Sequence, residues 1–348
     1  MTLRNQAIDH FLTRAGWGDA ARRDLAGDAS FRRYERVEKP DGRTAVLMDA
    51  PPPKENIRPF IGVARHLTRI GLSAPAILAP DVEDGLMLIE DLGDDSFNRV
   101  LEVDPSMTVH LYEAAVDALL ALRMAPAPGR TRFADGTEHR VRPYDAAAFA
   151  AGPAVLLDWH AKVLRLDLEP DACAAYASIW ADLWRALPRE KPVLMLRDYH
   201  ADNLLWLPGR KGVARVGLLD FQDATLGPAA YDLIALVEDA RRDVDPAFAD
   251  ELKARYAAGA ARLDPAFDGA GFEMACAITA AQRNSRIAGV FVRLWKRDGK
   301  ARYLDFLPRV WRLLERDLRH PALANLRAWY DHYMPGEDLR AGVRRLAA

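Results

Sequence analysis

Arg197-Asp198-Tyr199-His200-Ala201-Asp202-Asn203, with Leu218-Leu219-Asp220-Phe221-Gln222-Asp223 after it, carries three oxygen-bearing side chains from which both architecture and chemistry can be argued. Asp198 supplies a carboxylate that can accept or orient a proton. Asn203, five residues later, and Asp220, just before Phe221, supply oxygens suited to a hard cation. Residues 193–196 form a short apolar run that fixes the start of the loop. Two further apolar runs, 204–207 and 213–219, flank Pro208-Gly209-Arg210-Lys211-Gly212, which is too polar to bury. The spacing predicts a β-hairpin with Asn203 at its entrance and Asp220 at its exit. Strand pairing brings both to one end of the hairpin, where they can share a cation, and Mg²⁺ suits such oxygen donors best.

One base and two metal-holding oxygens at this spacing match what phosphoryl transfer requires in the protein-kinase template. There, a loop Asp handles the nucleophile's proton, an Asn five positions on holds Mg²⁺, and an Asp before Phe holds Mg²⁺ on the nucleotide phosphates. Asp and Asn are also common in loops because they tolerate turn conformations, so a lone Asp-x-x-x-x-Asn carries little weight. Its coupling to Asp-Phe after an apolar strand is what carries the reading. No Cys or second His lies at metal-ligand spacing from His200, which reads as a hydrogen-bonding loop residue rather than a zinc ligand.

The 348 residues suffice for two lobes, and 50% hydrophobic with 28% charged residues describe an ordinary globular chain. A formal net charge of -2 carries no nucleic-acid signature. Residues 1–14 mix charge into an amphipathic pattern unlike a secretory signal, and no apolar run reaches the roughly 18 residues of a membrane span. A cytoplasmic protein with no nucleic-acid partner and no membrane insertion is expected. Cys173 and Cys276 lie far apart and read as reduced, buried thiols.

Along the chain, composition shifts from a small β-rich part to a large helical one. Strand-like runs at 31–38 and 43–49 are joined by Lys39-Pro40-Asp41-Gly42, whose Asp-Gly pair signals a hairpin. Three prolines, 51–53, end that sheet edge. A helix is predicted over 56–70, stopped by Gly71, before extended segments at 76–78 and 86–90. Everything to about Leu92 forms the first lobe (1–92), and 93–348 the second. The second opens with Asp104-Pro105 as cap and first helical residue, then Val109, Tyr112, Val116, Leu119 and Leu120 at helical spacing. Tyr176, Ile179, Trp180, Leu183, Trp184 and Leu187 repeat the pattern in a helix stopped by Pro188. Residues 125–142, rich in Pro, Gly and charge, are expected to be a mobile loop.

These residues resemble the aminoglycoside phosphotransferase and choline kinase superfamily. Gly27-Asp28-Ala29-Ser30-Phe31-Arg32-Arg33-Tyr34 is similar to the start of its phosphate-covering loop, and Leu88-Ile89-Glu90-Asp91-Leu92-Gly93 to its interlobe hinge. The catalytic run, Asp220 to Asp223, Tyr231-Asp232-Leu233 and Glu238-Asp239-Ala240-Arg241-Arg242-Asp243 resemble the bacterial anomeric N-acetylmuramate/N-acetylglucosamine kinases. Gln282-Arg283-Asn284 and Lys296-Arg297-Asp298-Gly299-Lys300 resemble that subgroup too. The resemblance implies an α+β, bilobal, protein-kinase-like fold that uses ATP with Mg²⁺. It implies Asp198 as catalytic base, Asn203 and Asp220 as metal ligands, and Ser30, Phe31, Arg32 and Arg33 over the nucleotide phosphates. Backbone groups at Glu90, Asp91 and Leu92 would meet adenine, while His200, Gln222 and Asp223 are acceptor-side candidates by proximity. The sugar 1-phosphate would pass to a nucleotidyltransferase in peptidoglycan salvage.

Two positions depart from the superfamily. Leu196 stands where a His usually precedes the catalytic Asp by two residues, and Met48 stands where a phosphate-binding Lys is expected. Lys54 and Arg32 are the nearby cations that could make up the missing charge. Residues 281–320 carry eleven Arg or Lys against four acids, a balance that disfavours polycationic aminoglycosides and favours an anionic sugar such as one bearing a lactyl carboxylate. The sequence thus points to a sugar 1-kinase. An aminoglycoside or other small-alcohol kinase, or a nucleotide-binding regulator without transfer activity, are the alternatives.

Overall fold

The structure, a computed structural model, describes residues 3–25, 31–336, 339, 342 and 343. In chain order it contains α1 (Leu3–Arg14), β1 (Ala21–Leu25), β2 (Arg33–Glu38), β3 (Thr44–Asp49), α2 (Arg58–Arg69), β4 (Ile77–Asp81), β5 (Leu86–Glu90), α3 (Phe97–Val103) and α4 (Thr108–Met124). There follow β6 (Thr131–Arg132), β7 (Glu138–His139), α5 (Ala146–Val155), α6 (Pro170–Ala186), β8 (Val193–Met195), β9 (Leu204–Trp206), β10 (Val216–Leu218) and β11 (Thr225–Gly227). The chain then continues with α7 (Ala230–Val237), α8 (Pro246–Leu263), α9 (Gly269–Asp298), α10 (Leu307–Asp317) and α11 (Ala324–Tyr333). These elements make two compact units, Met1–Arg142 with Leu196–Thr225, and Pro143–Met195 with Leu226–Ala348. The mixed α+β expectation holds, with the main sheet early and helices dominating the later chain.

In the first unit, five antiparallel strands lie in the order β1-β2-β3-β5-β4. Position follows composition: β3 and β5 are almost continuously apolar and buried, and they take the middle, whereas the polar β1 and the proline-containing β4 lie at the edges. The predicted β2–β3 turn forms with Gly42 at φ +84°, its N–H donating to the Lys39 carbonyl at 2.9 Å. Ile8, Phe11 and Leu12 of α1 pack on Val37, Leu47 and Leu88 of the sheet. Each such side chain contributes about 1.5–3 kcal/mol when fully buried. Helix α2 stops at Gly71, as its sequence predicts.

Two local expectations change. Asp104 caps a 3₁₀ turn, Pro105–Met107, accepting from Ser106 N at 3.1 Å, so α4 starts only at Thr108. Val109 therefore falls in the first turn of α4 and is 53% exposed, while Tyr112, Val116, Leu119 and Leu120 are buried. Residues 125–142 are not a plain loop: β6 and β7 pair within them, and Arg58 of α2 ties the turn through Asp135 and through Thr137 Oγ1 at 2.8 Å.

The second unit is built on α9, thirty residues long. Gly289 lets this helix approach a π-helical turn at Leu156–Ala161, since a Cβ there would lie 2.4 Å from the Val155 backbone. Several of its buried polar side chains bond neighbours across the unit. Gln282 Nε2 donates to Tyr144 Oη at 2.9 Å and to the Phe149 carbonyl at 2.8 Å. The Asn284 amide donates to Glu238 Oε2 at 2.8 Å and Asp317 Oδ2 at 2.9 Å, and Arg316 pairs with Glu238 Oε1 at 2.8 Å. One cation for two buried carboxylates leaves a mismatch, which protonation of Asp317 relieves.

Burial first, and then the neighbouring Glu238 charge, raise the Asp317 carboxyl well above its usual range. The folded chain keeps a proton that the unfolded chain has released, so stability falls as pH rises from the ordinary carboxylate range towards the raised value. Asp317→Asn should flatten that slope and leave the melting temperature at about pH 8 equal to or above that of the unsubstituted protein. Melting curves across pH check this, and an unaltered slope would refute the role given to Asp317.

Candidate active site

After β8 the chain turns at Arg197, which adopts φ +73°, into the loop that carries Asp198. Three ties fix this loop. The buried Tyr199 donates its hydroxyl to the Ala115 carbonyl of α4 at 2.8 Å. Asn203 N donates to the His200 carbonyl at 2.9 Å, and Asn203 Nδ2 donates to the Asp198 carbonyl at 3.0 Å. Asn98 of α3 holds the Asp202 carboxylate from outside. Asp198 itself is half-buried, so its backbone is fixed while its carboxylate keeps access to solvent. His200 is 4% exposed, and its Nε2 lies 3.4 Å from Asn203 Nδ2, in keeping with a hydrogen-bonding role inside the loop.

The predicted hairpin forms, with β9 and β10 antiparallel and Leu218 opposite Leu204. Leu219 N donates to the Asn203 carbonyl at 3.0 Å, which joins the two ends of the motif directly. Leu218 N donates to the Ser73 carbonyl at 2.8 Å and steadies the exit strand. Asp220 then adopts φ +56°, a conformation that Asp tolerates better than most side chains. The reversal sends Phe221 into the core, fully buried and 4.7 Å from the Phe60 ring of α2, and leaves the Asp220 side chain 35% exposed. Gln222 Nε2 donates to Asp220 Oδ1 at 2.7 Å. Asp223 is exposed, and only its carbonyl, 3.5 Å from Arg197 Nη1, touches the loop.

The donor set fits a magnesium ion. With Asn203 Nδ2 spent on the Asp198 carbonyl, the amide oxygen is the atom left to serve as a ligand, and Asp220 adds carboxylate oxygens. Among the described residues no group of three or more His, Cys, Asp or Glu is placed to hold a metal. Mg²⁺ commonly makes do with one or two protein side chains and takes its remaining ligands from phosphates and water.

Of the residues assigned to nucleotide, Ser30 lies outside the described residues, and Phe31 is 62% exposed. Arg32 lies near the Asp220 carboxylate, with Nη2 4.0 Å from Oδ1. Arg33 turns to Asp49, 2.8 Å away. Side chains at the hinge are engaged: Glu90 accepts from Arg210 at 2.5 Å and from Ala76 N at 3.1 Å, and Asp91 accepts from Arg36 at 2.7 and 2.9 Å. The Asp94 and Asp91 carboxylates raise the Arg36 guanidinium further above its already high value. Leu92 is half-buried. Glu55 was given no site role by the sequence, yet its Oε1 accepts from Phe31 N at 3.1 Å and its Oε2 lies 3.8 Å from Arg32 Nε. Its one signal was an acid soon after the prolines. Within the basic stretch, Arg297, Arg309, Arg312 and Arg316 are paired with Asp298, Asp243 and Glu238, which reduces the charge left for an acceptor.

Comparison with known proteins agrees with this geometry. Residues 22–266 match the model of the phosphotransferase enzyme family. An N-acetylmuramate/N-acetylglucosamine kinase of Caulobacter vibrioides is 38% identical over 364 residues, covering 97% of this chain and 98% of its own. A protein of the same name from Pseudomonas aeruginosa is 37% identical, covering 92% of each chain. Among solved structures, an ethanolamine kinase of Plasmodium vivax superposes with a TM-score of 0.57 at 12% identity, over 88% of this chain and 83% of its own, a likeness of fold.

The Tyr199 hydroxyl is a buried tie between the loop and α4. Tyr199→Phe should lower stability by about 1–2 kcal/mol, because the Ala115 carbonyl loses its partner. Urea titration measures the loss, and hydrogen exchange should show faster opening of residues 198–203. Exchange as slow as in the unsubstituted protein would show that the tie does not hold the loop.

Proposed function

Because this chain belongs to the phosphotransferase enzyme family, we propose that it is an ATP-dependent kinase that phosphorylates the anomeric hydroxyl of N-acetylmuramate, N-acetylglucosamine or both. The observation that supports the reaction type is the hairpin end, where the Leu219–Asn203 hydrogen bond joins Asn203 to the residue before Asp220, beside a loop bearing the half-buried Asp198. Likeness over nearly the full length of both chains to kinases named for these two sugars supports the substrate class. The nucleotide-covering part, 1–92, and the acceptor-holding part, 93–348, belong to the same proposal.

Asp198 accepts a hydrogen bond from the sugar's C1 hydroxyl, holds its oxygen towards the γ-phosphorus and takes the proton as the new P–O bond forms and the bond to the ADP oxygen breaks. An anomeric hydroxyl is more acidic than an ordinary alcohol, so positioning counts for more than basicity. Asn203 and Asp220 would hold a Mg²⁺ ion, which when bound would supply neutralisation of charge on the phosphates. Gln222 keeps the Asp220 carboxylate in place through its 2.7 Å hydrogen bond. Phe31, Arg32 and Arg33, with Ser30, which lies outside the described residues, are assigned to the cover over the phosphates, and the 90–92 backbone to adenine. His200, Gln222 and Asp223 are acceptor-side candidates. No helix among the described residues is long and apolar enough to cross a membrane. The product, a sugar 1-phosphate, is the form that a nucleotidyltransferase consumes.

Phosphorus NMR of the reaction with ATP, Mg²⁺ and each sugar should show an acid-labile sugar 1-phosphate. A stable ester at another hydroxyl, or turnover only with aminoglycosides or amino alcohols, would overturn the substrate. Asp198→Asn should cut kcat roughly 10²–10⁴-fold while ATP binding is retained. Undiminished turnover would remove Asp198 from its role.

A further inference from the structure

Kinase-type transfer needs a fixed cation over the phosphates, commonly a β3 Lys held by a Glu. Here Met48 of β3 is 1% exposed and lies between Tyr34 and Met87 in the sheet, so it contributes no charge. Three nearby cations could replace it, and their surroundings differ. Lys54 places its ammonium over the Phe31 ring, 4.6 Å from the centroid. Arg33, with a side chain 67% exposed, is drawn to Asp49. Arg32, with a side chain only 14% exposed, sits between two carboxylates, 3.8 Å from Glu55 and 4.0 Å from the metal ligand Asp220.

We propose that Arg32 is the phosphate-binding cation that replaces the missing β3 lysine, and that Glu55 is the residue that positions it. This rests on the kinase reading above and deepens it. At 3.8 and 4.0 Å the two carboxylates act on the guanidinium by charge rather than through short hydrogen bonds. They set its position beside Asp220. A guanidinium so placed meets a phosphate's oxygens in a two-pronged contact that lysine cannot copy. Glu55 has a second duty that couples it to the cover: its Oε1 accepts from Phe31 N at 3.1 Å, so one side chain fixes both the backbone entering β2 and the arginine that follows. The Glu–Arg pair thereby comes from the segments on either side of β2 and β3, and the strand residue itself is free to be apolar.

Calorimetric binding of Mg·ADP and of adenosine to the full-length protein separates phosphate recognition from base recognition. Arg32→Gln should weaken Mg·ADP about tenfold to a hundredfold and leave adenosine within roughly twofold, and Arg32→Lys should recover part of the loss. Glu55→Gln should lower kcat about tenfold at saturating ATP with adenosine affinity kept, and Glu55→Asp should restore part of that rate. Equal Mg·ADP affinity in Arg32→Gln overturns the proposal, as does a phosphate-specific loss in Lys54→Gln in its place. A parallel loss of adenosine affinity and melting temperature in Arg32→Gln also overturns it, since the residue would then be structural. If the unsubstituted protein binds neither ligand, the kinase reading itself fails, an outcome distinct from all of these.

Discussion

The backbone hydrogen bond from Leu219 to the Asn203 carbonyl is the contact on which the site depends. It closes the open end of a hairpin whose strands are only three residues each, and so brings together Asn203 and Asp220, seventeen residues apart by chain order. The closure is steadied from both sides, by the Ser73 carbonyl on the exit strand and by the Asn203 amide folded back on the Asp198 carbonyl. Backbone bonds suit this task because they are indifferent to the charge that a bound nucleotide and metal bring.

The protein handles buried charge differently in its two units. In the first, Arg32 lies within ionic reach of both Glu55 and Asp220, whose side chains keep 18% and 35% exposure to water. In the second, Glu238 and Asp317 share a single close cation, Arg316, with Asn284 donating to both, and protonation of Asp317 restores the balance. The Glu238–Asp317 cluster, buried more deeply, is the one that makes stability depend on pH.

Much of this was legible in the chain because the governing signals are local. The Asp-Gly turn, the Gly71 stop and the apolar run before Pro208–Gly212 carry their own conformational reasons and form where expected, whereas the run after it, 213–219, is strand only over Val216–Leu218 because a 3₁₀ turn takes Gly212–Arg215. The catalytic loop was legible through spacing alone. What could not be read depends on distances through space. The choice among Lys54, Arg33 and Arg32 turns on where Glu55, Asp49 and the Phe31 ring lie, and sequence order does not rank those. The basic stretch misled in the same way, since Asp243 and Glu238, which pair with Arg309, Arg312 and Arg316, lie some seventy residues earlier in the chain. At Asp104-Pro105 two helical geometries compete for the same cap, and the tighter 3₁₀ turn displaced the start of α4.

The left-handed backbone at Asp220 leaves that position a one-letter alphabet. Glutamate would keep the charge but resist the conformation, asparagine would accept the conformation but forfeit the charge, and glycine would bring no ligand at all. Two independent demands, one steric and one electronic, intersect in a single amino acid. On the metal role proposed for it, a substitution at Asp220 would have to meet both demands at once, whereas Asn203 has no left-handed backbone to satisfy and answers to the second alone.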